Sequence, residues 1–167
     1  MNNKDDLKSI QDLIEENAKY IDDIVDELVN VFSKDLTEYV IYIKNILDTD
    51  NQKISDIEIE DFVLTLPTLL YFTSDCQESL GIREDVAKTQ YKEKFNNVLS
   101  STSGTVAIKT ALAEMETRNE ALATIVYQRA YKKIKLKVEA AYELLQSVKK
   151  VLSRRMLEME ISKNKFT

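Results

Sequence analysis

The chain has 167 residues, a net charge of −6, two glycines, one proline, one cysteine, and neither histidine nor tryptophan. So few turn formers cannot punctuate a sandwich, a barrel or an α/β sheet, and the expected class is all-α. The same gaps exclude or nearly exclude zinc sites, disulfide frameworks, Cys–His nucleophiles and histidine acid–base pairs. No run approaches the ~20 apolar residues of a membrane span, and MNNKDDLKS is too acidic for a signal peptide. The expectation is a non-enzymatic cytoplasmic protein with no cofactor and no bound metal.

Residues 4–32 read as an amphipathic helix. Leu7, Ile14, Ile21 and Leu28 recur every seven residues, with Ile10, Ile24 and Val31 interleaved and Asn17 the polar exception. A heptad row sustained this long predicts packing against another helix, of this chain or another. Leu36, Tyr39, Val40, Ile43 and Leu47 keep a helical period to about residue 48. We expect an acidic N-terminal helical hairpin over 1–50, joined by a polar linker at 48–56 to a helical core over 57–167. Asp56 is a plausible N-cap for that core.

Pro67 either starts a helix or kinks one. A mostly apolar helix is expected at 68–80, carrying Cys76 as a small buried hydrophobe. Gly81 permits a cap or bend, and a further helix at 82–99 projects Arg83, Lys88, Lys92 and Lys94. SSTSG (100–104) is the clearest break, with Ser103 or Thr105 able to cap the next helix. No breaker interrupts 105–161, which would make a rod of roughly 85 Å if straight, or else fold back near Arg118–Asn119. Its C-terminal part has a seam of Ile134, Val138, Ala141, Leu145, Val148, Leu152 and Met159. Such a helix needs partners along its length, which predicts a homo-oligomeric helical bundle or coiled coil.

The net charge conceals a division. Residues 1–100 carry 10 Lys/Arg against 22 Asp/Glu, and residues 101–167 carry 13 against 7. In YQRAYKKIKLK (127–137), Arg129, Lys133 and Lys137 form a stripe at helical spacing, with Lys132 beside it. Tyr127 and Tyr131 occupy an adjoining face. Such a surface can follow a phosphate backbone while a ring stacks on an unpaired base. The same tyrosines fit equally well in a helix-packing seam. Neither glycine belongs to a phosphate-binding loop, and a four-helix di-metal site would want the histidine this chain lacks.

Three segments carry a family resemblance: DFVLTLPTLLYF, AKTQYKEKFNNVLSSTSG with its Lys-x-Lys pair before a Ser-Gly turn, and AYELLQSVKKVLSRRMLEM. In this order they resemble the UvsY-type recombination mediators of T4-like bacteriophages, over about residues 57–167. The resemblance implies a ring-forming helical protein of the host cytoplasm that binds single-stranded DNA. It would help load a RecA-like recombinase onto strands covered by single-strand binding protein. It places Lys92 and Lys94 at the DNA-contacting pair and gives Leu145, Val148 and Leu152 the oligomerisation role. The acidic N-terminal segment has no counterpart in that pattern. The alternative expectation is a structural or scaffolding helical protein, a phage or bacterial assembly factor or virion component, that binds no nucleic acid.

Overall fold

The computed structural model describes residues 3–49 and 54–164. Its elements are α1 (Asn3–Thr49), α2 (Asp56–Ser101), α3 (Val106–Glu116) and α4 (Arg118–Asn164), with no strand among the described residues. The all-α class is therefore what the residue counts required. Residues 50–53 of the linker expected at 48–56 lie outside the described residues, as do the side chains of Leu7 and Ile10.

The expected N-terminal hairpin is instead a single 47-residue helix. Nothing between Ser33 and Leu47 breaks helical geometry, and Thr37 Oγ1 donates to the Ser33 carbonyl at 2.7 Å without interrupting it. The expected pieces at 68–80 and 82–99 likewise form one helix, with Pro67 in its interior. Pro67 is exposed while Ile59, Phe62, Leu66 and Leu70 are buried. A proline in a helix interior costs about 3 kcal/mol. Burying each of those side chains contributes roughly 1.5–3 kcal/mol, so packing outweighs the breaker. The ring faces the side where water can serve the carbonyl left without a donor.

Helix α2 starts on a capping box one residue before the expected cap. Ser55 N donates to Glu58 Oε2 at 2.8 Å, and Glu58 N donates to Ser55 Oγ at 3.2 Å. Two otherwise unmet backbone donors are satisfied reciprocally. Ser55→Ala should lower the urea midpoint by the equivalent of about 1 kcal/mol. The backbone hydrogen bond from Ser55 holds the Glu58 carboxyl below its ordinary value, aided by the Ser55 hydroxyl. Because the folded carboxyl titrates below the unfolded one, this contribution is complete above the unfolded value and is lost as pH falls through the folded one.

At SSTSG the chain does break, and Gly104 takes φ 129°, a backbone region that side chains disfavour. Thr105 is the N-cap residue of α3, though its side chain makes no cap hydrogen bond. The long C-terminal segment is neither one regular rod nor folded back near Arg118: a single residue, Thr117, separates α3 from α4. It is fully buried, and its hydroxyl donates to the Ala113 carbonyl at 2.7 Å. That carbonyl also accepts the Thr117 N–H, at 3.0 Å. A buried threonine bonding back one turn disturbs a helix without ending it.

Two compact units share these helices. The first takes α1 up to Val31 together with Glu78–Lys132; the second takes Phe32–Gln77 and the chain from Lys133 onward. In the second, Leu36 and Ile43 of α1, Phe62 and Leu66 of α2, and Ala141, Leu145 and Val148 of α4 form one apolar cluster. Phe62 meets the Tyr39 and Tyr42 rings edge-on, at centroid distances of 6.4 and 6.2 Å. In the first unit the buried apolar residues among those described are Val25, Val29, Leu80, Ala87, Val98, Ala113 and Ala130.

Gly81 lies inside α2 in the first unit and so caps no helix. A Cβ added there would meet the Tyr131 ring at 3.4 Å, ordinary contact. Gly81→Ala should therefore raise stability by about 0.5–1 kcal/mol, because alanine is the better helix former and still fits. Thermal unfolding should shift upward by about 2 °C.

Candidate interaction surface

The basic residues singled out in the sequence divide into engaged and exposed. In the first unit, Lys94 Nζ lies 2.7 Å from Glu120 Oε1, joining α2 to α4. This hydrogen bond is the main reason the Glu120 carboxyl is held below its ordinary value. Glu120 Oε2 is buried without a hydrogen-bond partner, so Lys94 is the countercharge that this carboxylate depends on. Lys92, Arg129 and Lys132 are exposed in the same unit. In the second unit, Lys133 and Lys137 are half-buried, and Lys137 Nζ donates to Thr37 Oγ1 at 2.8 Å. Arg155 is turned toward Asp56, with Nη1 at 3.0 Å from Oδ1.

Tyr127 and Tyr131 are half-buried, and Tyr131 spends one ring edge on Gly81. Tyr131 thus takes a packing role, and Tyr127 lines an open groove of the same unit. Leu145 and Val148 are buried in the second unit's cluster, and Leu152 packs against it. The seam expected to join copies is thus filled by this chain's own α1 and α2. Met159, at the seam's end, is exposed.

Helix α1 carries the least expected arrangement. Its buried line runs Val25, Val29, Ser33, Leu36 and Ile43, beside the heptad row and not along it. Of the row itself, Ile14 is 61 % exposed and Val31 69 %, while Ile21, Ile24 and Leu28 are half-buried. Those three residues, with Tyr20 and Val31, form one wall of an open groove of about 530 Å³ in the first unit. Leu122, Ala123, Val126 and Tyr127 of α4 form the other wall, and Glu27 is the sole charged lining residue. Helix α3 adds Ile108, Leu112 and Met115, exposed at i, i+4 and i+7 on the face away from buried Ala113. Among the described residues of this unit, most large apolar side chains are therefore exposed or half-buried.

The groove has a sequence signal that the heptad count alone does not decode. From residue 21 to 33, α1 holds two adjacent apolar stripes, and one intrachain contact needs only one of them. Among the described residues, no group of three or more Cys, Asp or Glu side chains is arranged to hold a metal ion. Among the same residues, no helix is long and apolar enough to cross a membrane. Compared with known proteins, the chain matches no family model, no curated protein and no solved structure.

Proposed function

We propose that this protein is a non-catalytic helical interaction protein of the structural or scaffolding kind, which self-associates through the groove of its first unit. The observation that carries the reading is the heptad row of α1, with Val31 exposed and Ile21, Ile24 and Leu28 only half-buried, lying open beside Leu122 and Val126. A heptad face is built to receive another helix, and an apolar face this extended marks an association site. A second copy is the natural occupant, because the chain also exposes Met156, Leu157, Met159 and Ile161 near the end of α4. The test is molar mass by light scattering for the wild type and for Tyr20→Asp combined with Val31→Asp. Both residues are well exposed, so the variant keeps its fold. The wild type should exceed the chain mass and the variant should fall to it with unchanged helicity. Equal masses for the two contradict the reading.

The second reading is single-stranded nucleic-acid binding in the manner of a recombination mediator. The exposure of Lys92, Arg129 and Lys132 in one unit favours it. Binding of a fluorescent oligonucleotide should then fall with salt at a log–log slope of about −0.7 per phosphate contact. The informative variant is Lys92→Ala with Arg129→Ala and Lys132→Ala. Lys94→Ala is unsuitable, since it strands Glu120. Absence of binding at low ionic strength removes this reading.

A further inference from the structure

We infer that the groove of the first unit receives the outer face of α4 near its C-terminal end, from a second copy, so that the chain assembles head to tail. This rests on the proposed self-association and identifies the segment that fills the groove. Lys150, Arg154, Leu157 and Ile161 are spaced at i, i+4, i+7 and i+11, which places them on one face of α4. That face is opposite Val148 and Leu152, which are committed to the second unit's cluster. Leu157 and Ile161 are 58 % and 56 % exposed, two large apolar side chains turned to solvent on that face.

Shape and charge both match. The groove wall from Tyr20 to Val31 and the stripe from Lys150 to Ile161 each run for roughly 17 Å at 1.5 Å per residue. Over residues 11–31, α1 carries seven carboxylates, Asp12, Glu15, Glu16, Asp22, Asp23, Asp26 and Glu27, against Lys19 alone. Over 149–163, α4 carries five cations against Glu158 and Glu160. Leu157 and Ile161 fill the apolar trough, while Lys150 and Arg154 approach the carboxylate side at Glu27 and Asp23. Arg154 is already hydrogen-bonded to Glu158 at 2.9 Å on the surface. An exposed pair of that kind is worth little and yields to a new partner. Two copies joined groove to groove would instead bring the acidic segments of both α1 helices together. Because the contact joins unlike surfaces, it propagates from copy to copy until a ring closes or a filament grows.

The experiment uses the full chain in two variant forms and their mixture. One form carries Tyr20→Asp with Val31→Asp in the groove; the other carries Leu157→Asp with Ile161→Asp on the stripe. All four positions are exposed, and circular dichroism confirms the fold of each. Each variant alone should associate at least tenfold more weakly than the wild type. Mixed, they should form a 1:1 complex of twice the chain mass and stop there, because one supplies an intact groove and the other an intact stripe. Raising salt should weaken that complex. If the stripe variant assembles as the wild type does while the groove variant does not, the head-to-tail inference is overturned and the self-association reading stands. A monomeric wild type overturns both.

Discussion

Leu145→Asp is expected to unfold the second unit outright. Leu145 is 3 % exposed within the cluster that joins α1, α2 and α4. Truncating a buried leucine costs about 2–5 kcal/mol, and a buried carboxylate without a partner adds to that. The total loss should be at least about 4 kcal/mol, a large part of the stability of an ordinary domain. Leu157→Asp, on the exposed face of the same helix, should change stability by no more than about 0.5 kcal/mol. Urea unfolding followed by circular dichroism separates the two. The contrast decides how assembly experiments are read, since an aspartate in the 145–152 seam removes the fold before it reports on any partner. A folded Leu145→Asp chain with reduced mass would show that the seam faces another copy after all.

Pro67→Ala is expected to work in the opposite direction. Proline inside α2 costs about 3 kcal/mol relative to alanine, and removing it frees the unfolded chain by about 0.4–1 kcal/mol. The net gain should be about 2 kcal/mol, or roughly 5 °C in thermal midpoint. The residue is exposed, so alanine loses little packing. A lower midpoint would mean that the proline ring is itself a packing element.

These two positions also show what the sequence could and could not convey. The scarcity of glycine and proline established the helical class, and SSTSG located the clearest break. The α4 seam was legible as a packing face, with Ile134, Ala141, Leu145 and Val148 all buried. Its partner was not, because a heptad row has the same appearance whether the facing helix belongs to the same chain or another. Pro67 was read as starting or kinking a helix and Gly81 as permitting a cap or bend, since local propensity cannot register the buried ladder from Ile59 to Leu70 or the Tyr131 ring. Thr117 gave no warning, because its effect depends on being buried and bonding back to Ala113. On α1 the seam itself was visible, but the choice of Val25 and Val29 as the inward face was not. Two apolar stripes lie side by side there, and only tertiary packing selects between them.

The basic stripe was legible as a stripe, but not which of its members stay exposed: Arg129 and Lys132 do, while Lys133 and Lys137 are half-buried. Spacing placed Arg129, Lys133 and Lys137 in line, yet Lys137 donates to Thr37. Lys94, picked out by resemblance, holds Glu120 across two helices. Residue type and period do not reveal which cations a fold consumes internally.

The most direct test of the outward-facing α1 row is thiol accessibility in a Cys76→Ser background. Val31→Cys and Val25→Cys are labelled in separate chains over a range of protein concentrations. We predict rapid labelling at position 31 in dilute solution, protection there as concentration rises, and slow labelling at position 25 throughout. Fast labelling at 25 with protection at 31 in the dilute chain would show that the heptad row packs inward, and would contradict an outward-facing groove.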